Sequence, residues 1–415
     1  MDAAQLERFE ALCTAIYVSP HPQERAEAQQ HVLCLQSSTD YIPQCQHILD
    51  HSSSAYARLV ATSSLNQLIT EHWNSFSEAQ RFDIRNYVLS YLASKGPALE
   101  PFITKALIQL ACRITKMGWF DDVRHQEFTT EITKFLQATP QHCIIGLQIL
   151  NQLVQELNVP TPGRTLTAHR KAAVSFRDRS LFHVFQLSLT TLGQLQTGAV
   201  ATAGAEAKTR MVSEALSLAI RCLSFDFIGT NPDESGEDVG AVQVPSSWRA
   251  VVQEPATMGL LFDLYGRLQP PESAKALECL TLLASVRRSL FAGDKERKAY
   301  LTALVHGIQR ILEGQHGLSE AANYHEFCRL LSRLKSNYQL SELMKTDNFA
   351  EWLGYVAKFT MNSFQQWRWS ANSMHYLLGL WARLVVAVPY VKPDLASQSS
   401  ALDVYVRSSL LATHF

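Results

Sequence analysis

Residues 77–117 read SEAQRFDIRNYVLSYLASKGPALEPFITKALIQLACRITKM, and they decide the fold class. In the first half, Ile84, Tyr87, Val88, Tyr91 and Leu92 recur at i, i+3, i+4, i+7 and i+8. In the second half, Ile103, Leu107, Leu110 and Ile114 repeat the pattern. Apolar residues three and four apart line one side of a helix, whereas a half-buried strand would alternate. Ser77 with Gln80 forms a capping box, which predicts a helix start there.

The same signature extends outward in both directions. Leu301, Leu304, Val305, Ile308, Ile311 and Leu312 carry it across three turns. Thr139-Pro140 reads as an N-cap followed by an N1 proline, and Asp294 precedes another helix. No run of alternating β-branched residues is bounded by Asn-Gly or Asp-Gly, so a sheet has no starting point. Helices are expected near residues 4, 21, 40, 54, 77, 98, 123, 141, 180, 206, 255, 271, 294, 319, 347 and 372. One helix about every 20 residues, and a pair about every 40, is the period of HEAT or armadillo units. Each helix has a single apolar stripe and must bury it against neighbours. Four to six large side chains per helix contribute about 1.5–3 kcal/mol each before the entropy cost is subtracted. The expected fold is all-α, an α-α superhelix (HEAT/armadillo-like solenoid) of about eight helix pairs. A compact helical bundle is the alternative.

Composition narrows the function. Of 415 residues 47% are hydrophobic, as in a core-forming protein, and 37 Lys+Arg balance 38 Asp+Glu. That balance supplies no global field for nucleic acid or an acidic membrane, so neither is an expected partner. The most membrane-like stretch, His375 to Val391, is interrupted by Arg383 and falls short of the ~20 residues of a span, so no membrane insertion is expected. MDAAQLERFE lacks the basic and apolar regions of a signal peptide, and eight scattered cysteines form no C-x-x-C. A soluble protein of a reducing, intracellular compartment is expected, with its cysteines acting as small hydrophobes.

Catalytic signatures are missing. His325-Glu326 is followed by Arg329 where a zinc helix needs histidine, and no G-x-S-x-G elbow occurs. Gly229 and Gly236 are followed by Glu237 where a phosphate loop needs lysine. Asp233, Glu234, Glu237 and Asp238 crowd together without the alternating ligands of a calcium loop, and read as a solvated acidic insertion. No enzyme, cofactor or metal site is expected. Two basic clusters read as solvated faces ahead of binding sites. His169, Arg170, Lys171, Arg177 and Arg179 lie in or beside a loop, and Arg329 and Arg333 are spaced i, i+4 with Glu326 one turn from Arg329.

Residues 25–92 resemble the amino-terminal domain of the importin-β (karyopherin) family through Arg58, Ala61, Leu65-Asn66, Ile69 and Trp73. Asn66 stands where the family frequently has lysine. Longer strings are similar to exportin members of that family: QRFDIRNYVLSYLA (80–93), ALIQLACRITKMGWFD (106–121), LASVRRSLF (283–291) and NYHEFCRLLSRLKSNYQL (323–340). FDFIGT (225–230), an acidic DES and VQVPSSWR (242–249) match as well. The resemblance spans about residues 5 to 392. It implies amino-terminal HEAT repeats over 1–95, continuing repeats over 96–392 with an insertion at about 229–246, and a divergent end over 393–415. Family chains are more than twice this long, so only the amino-terminal repeats are expected here.

The resemblance implies a nuclear transport receptor, an exportin. It would bind Ran-GTP and protein cargo, contact the Phe-Gly repeats of the nuclear pore, and shuttle between nucleus and cytoplasm. GTP hydrolysis would occur on Ran. Family members hold Ran against the second helices of the first repeats, which carries Arg58, Asn66, Lys105, Arg113 and Lys116 over as contacts. Arg329, Arg333 and Lys335 match later repeats that Ran also touches. Lys105 and Arg113 are expected to face solvent. The alternative is a non-transport HEAT scaffold or regulatory subunit, which would show no preference for the GTP form of Ran.

Overall fold

Helices begin where the apolar periodicity and capping residues start. The computed structural model describes residues 1–200, 202, 204–227 and 241–388. The acidic residues Asp233, Glu234, Glu237 and Asp238, and the end expected over 393–415, lie outside the described residues. Two compact units divide the chain, one holding 1–184 with 201–214 and the other 185–200 with 215–415.

In the first unit, α1 (Ala3–Val18) packs on α2 (Pro22–Val32), and α3 (Ile42–His51) on α4 (Ala55–Glu71). Next α5 (Glu78–Lys95) packs on α6 (Pro101–Met117). After the short α7 (Val123–Gln126), α8 (Phe128–Gln137) packs on α9 (Pro140–Asn158), and α10 (Leu166–Phe176) follows against α9. The second helices form their own row, α4 on α6 and α6 on α9. The unit boundaries fall within α11 (Phe182–Thr197) and α12 (Ala205–Leu223). The second unit contains α13 (Arg249–Gln253), α14 (Pro255–Arg267), α15 (Glu272–Ala284), α16 (Asp294–Gly314) and α17 (Ala321–Asn337). It continues with α18 (Leu340–Leu343), α19 (Phe349–Gln365) and α20 (Ala371–Ala387). There α15 packs on α17 and α17 on α20, while α14, α16 and α19 make a parallel row. Pairs whose first helices stack with first and second with second are the HEAT-like arrangement that a one-stripe helix requires. The fold is all-α.

The stripes named in the sequence are the core. Leu107, Leu110 and Ile114 of α6 are wholly buried, as are Leu301, Leu304, Val305 and Ile308 of α16. The Ser77–Gln80 capping box is present, with Gln80 N donating to Ser77 Oγ at 3.3 Å. Asp294 is the first residue of α16, and the cap position belongs to Gly293. Seven cysteines are buried and Cys34 is exposed; burial pushes Cys13 and Cys45 up to about 12, so both are inert thiols at neutral pH.

Two local features lie where the periodicity gives no signal. The cluster His169, Arg170 and Lys171 lies on a helix, α10, and Arg177 and Arg179 sit in the π turn behind it. That helix buries only Ala172 and Phe176, too few residues for a visible period, and it is started by Thr165 accepting from Ala168 N at 3.2 Å. The other is Val242, inside the expected insertion of about 229–246. Val242 is buried and bridges to Val286, with Val242 N on Ser285 O at 2.9 Å and Arg287 N on Val242 O at 3.0 Å. Phe227 on one side of the acidic run meets Trp248 on the other edge-to-face at 5.5 Å.

Candidate partner-binding surface

The row α4, α6, α9 carries the first candidate contacts, and each helix is fixed by a local device. Glu10 of α1 gathers the loop before α4, accepting from Ser52 Oγ at 2.5 Å, Ser53 N at 3.0 Å and Ser54 N at 3.4 Å. Ser54 then caps α4 through Ala57 N at 3.3 Å. Pro101 and Pro140 occupy the first turns of α6 and α9, where a missing N–H costs nothing.

On this frame the candidates separate by environment. Lys105 is exposed on α6. Arg58 and Asn66 are half-buried on α4, and Arg58 Nε and Asn66 Oδ1 have no hydrogen-bond partner among the described residues. Such buried polar atoms are costly unless a ligand or water completes them. Arg58 also lies near Tyr91, whose phenol is pushed up by burial while the guanidinium opposes that shift. A stacked aromatic ladder borders the row, with Tyr17 on Tyr56 at 4.9 Å and Tyr56 on Phe102 at 6.4 Å between ring centroids.

Arg113 and Lys116 are placed differently from the sequence expectation. Arg113 is half-buried and ion-paired with Glu156 of α9, so it does not face solvent alone. Lys116 lies eleven residues after Lys105, on the same helix face, yet only 6% of it is exposed. The chain leaving α9 covers it. Its amine donates to Glu156 O at 2.7 Å and Val159 O at 2.5 Å. These carbonyls end α9, so a cation from α6 serves as the cap of its neighbour. Burial drives the Lys116 amine down to about 8, against the opposing pull of Glu156.

In the second unit, Arg329 donates to both carboxylate oxygens of Glu326 at 3.1 Å, as the i, i+3 spacing predicts. Glu278 of α15 lies 4.0 Å from the same guanidinium, and burial followed by Glu326 pushes Glu278 up. Burial and neighbouring cations push Arg333 and Lys335 down. Arg383 of α20, which the sequence shows only as a break in an apolar run, is the cation beside both, and it donates to Ser336 Oγ. Among the described residues no group of three or more His, Cys, Asp or Glu could hold a metal, and no helix is long and apolar enough to cross a membrane.

The Exportin-4 family profile matches residues 1–374. The chain belongs to the exportin family. As an exportin-family chain it is 44% identical over 404 residues to Exportin-7-A of Xenopus laevis, covering 96% of this chain and 37% of that protein. It is 43% identical over 404 residues to Ran-binding protein 17 of Homo sapiens, covering 96% and 36%. Ran-binding protein 16 of Drosophila melanogaster is 42% identical over 398 residues, covering 94% and 36%. The exportin-family chain thus spans about 37% of the length of the relatives it matches, and its importin-β membership agrees with the pattern from Arg58 to Trp73.

Proposed function

We propose that this chain acts as a nuclear export receptor that binds Ran-GTP and a protein cargo. It contacts the Phe-Gly repeats of the pore and shuttles between nucleus and cytoplasm, without hydrolysing GTP itself. The observation that carries the reading is exportin-family membership over residues 1–374, beside relatives named for exporting and for binding Ran. On this reading residues 1–95 are the amino-terminal repeats of the receptor and 96–392 its continuing repeats.

The α4–α6 surface is the place where Ran would meet this chain. Lys105 supplies an exposed charge, and Arg58 and Asn66 offer polar atoms that lack partners. Arg113 and Lys116 hold α6 to α9, so their charges are already engaged. The test is titration calorimetry with Ran locked in its GTP form or loaded with GDP, at low and high salt. Strong preference for the GTP form is expected, weakening as salt screens the exposed charge. Arg58→Ala with Lys105→Glu should weaken binding about tenfold, or 1.4 kcal/mol, with helicity unchanged. Equal affinity for the two nucleotide forms would overturn the transport reading, and indifference to salt and to both substitutions would remove the α4–α6 surface.

A further inference from the structure

Beyond the α4–α6 surface, a cleft of about 390 Å³ opens in the first unit between the end of α6 and the start of α10. Arg164 and Lys171 bring two cations to its walls, while Lys116 also lines it but is engaged by the carbonyls of Glu156 and Val159. Asp121 also lines it but is ion-paired with Arg81, so its charge is already balanced. Burial and the nearby Arg81 push Arg164 down, and Asp121 opposes that shift.

The backbone adds to this field. Thr165, Thr167 and Ala168 place the first turn of the eleven-residue α10 in the cleft wall. Thr165 Oγ1 takes the amide of Ala168 at 3.2 Å, whereas the Leu166 and Thr167 amides precede the helical ladder and have no acceptor within it. A helix start of this kind carries about half a positive charge and favours an oxyanion. A second observation is independent of the helix. Thr161 lines the cleft, is only 5% exposed, and its Oγ1 has no hydrogen-bond partner. Its carbonyl is held by Arg164 N at 3.2 Å, across a turn that Gly163 allows with φ of 76°. A buried hydroxyl left without a partner costs about 1–3 kcal/mol, which a bound acceptor would offset. Met117 and Phe120 supply an apolar wall, and Phe120 is 59% exposed.

We propose that this cleft binds a phosphoryl group presented beside an apolar side chain, as on a phosphorylated serine or threonine segment of a partner protein. Two cations, a helix start and a hydroxyl donor exceed what one carboxylate would neutralise, and they suit a dianion with three acceptor oxygens. The apolar wall takes the adjoining side chain. This inference does not rest on the transport reading.

The test uses the full chain and N-acetyl-phosphoseryl-phenylalanine amide, followed by phosphorus NMR and calorimetry. Comparison ligands are the unphosphorylated dipeptide, its glutamyl counterpart and inorganic phosphate. The phosphodipeptide should bind at least about tenfold more tightly than each of the three, and Arg164→Gln with Lys171→Gln should weaken it by at least about tenfold. Thr161→Val should weaken it while Thr161→Ser retains it, with melting curves recorded for every variant. Lys345→Gln with Lys358→Gln, two exposed charges of the second unit, should leave it unchanged. No binding, or binding that survives Arg164→Gln with Lys171→Gln, would overturn the site. Equal binding of inorganic phosphate or the glutamyl dipeptide would overturn the ligand assignment.

Discussion

Lys116→Met separates a structural cation from a partner-binding one, and its effect depends on pH with a definite sign. In the wild type the amine is buried and pushed from 10.5 to about 8, with burial the largest cause. Each pH unit of such a shift corresponds to about 1.4 kcal/mol, so keeping this amine charged in the fold costs about 3 kcal/mol below pH 8. The same amine satisfies two carbonyls at the end of α9. Leaving those unpaired costs about 1–3 kcal/mol each. At pH 7 the two effects are similar in size and opposite in sign, so methionine should change stability by no more than about 2 kcal/mol. Because the folded pKa lies below the unfolded one, the Lys116 contribution is fully present above 10.5 and is lost as pH falls through about 8. Wild-type stability relative to the variant should therefore rise by about 3 kcal/mol between pH 8 and 10.5. Urea unfolding of both proteins at matched pH values measures that difference, and other lysines and tyrosines cancel in it. Parallel curves for wild type and Lys116→Met, or a gap that narrows with rising pH, would refute the capping argument.

Two further outcomes rest on burial. His125 is 1% exposed, and burial first and Arg85 second push its imidazole down to about 4. Its contribution is present above pH 6.5 and lost as pH falls through about 4, so His125→Gln should flatten the acid limb of the stability curve by about 3 kcal/mol, read by thermal melts. At Gly307 of α16 an added methyl would overlap the ring of Phe262 on α14. Gly307→Ala should therefore cost about 1–3 kcal/mol and lower Tm, and Phe262→Leu in the same chain should recover most of the loss.

The fold was legible because a repeat of one-stripe helices writes the same signal many times over. Residues 84–92 and 301–312 each state the period, and every such helix needs the same kind of neighbour to cover its stripe. The signal fails where burial is slight. α10 buries only Ala172 and Phe176, and its basic residues hide the short period, so the sequence places this cluster no more closely than in or beside a loop. Val242 also escaped notice, because one buried residue bonded to Ser285 and Arg287 leaves no pattern at all.

The candidate surface was legible only as residue types. Lys105, Arg113 and Lys116 look equivalent in sequence: three cations on one amphipathic helix. What distinguishes them is supplied by α9 and the chain after it, forty residues away. Glu156 takes the guanidinium of Arg113, and the carbonyls of Glu156 and Val159 take the amine of Lys116. Periodicity assigns a face but not an occupant of that face, because the occupant depends on where a distant helix ends. The same logic explains why the cleft at Arg164 was not anticipated. Its parts are a threonine without a partner, a helix start and two cations, drawn from residues 161–171, with an apolar wall from residues 117–120, and none of them is a motif by itself. Exposed charge on a repeat array is read most safely after asking which helix end or carboxylate the next repeat brings to it, and on that criterion exposed Lys105 and half-buried Arg58 are the cations of this row that no carboxylate or helix end engages among the described residues.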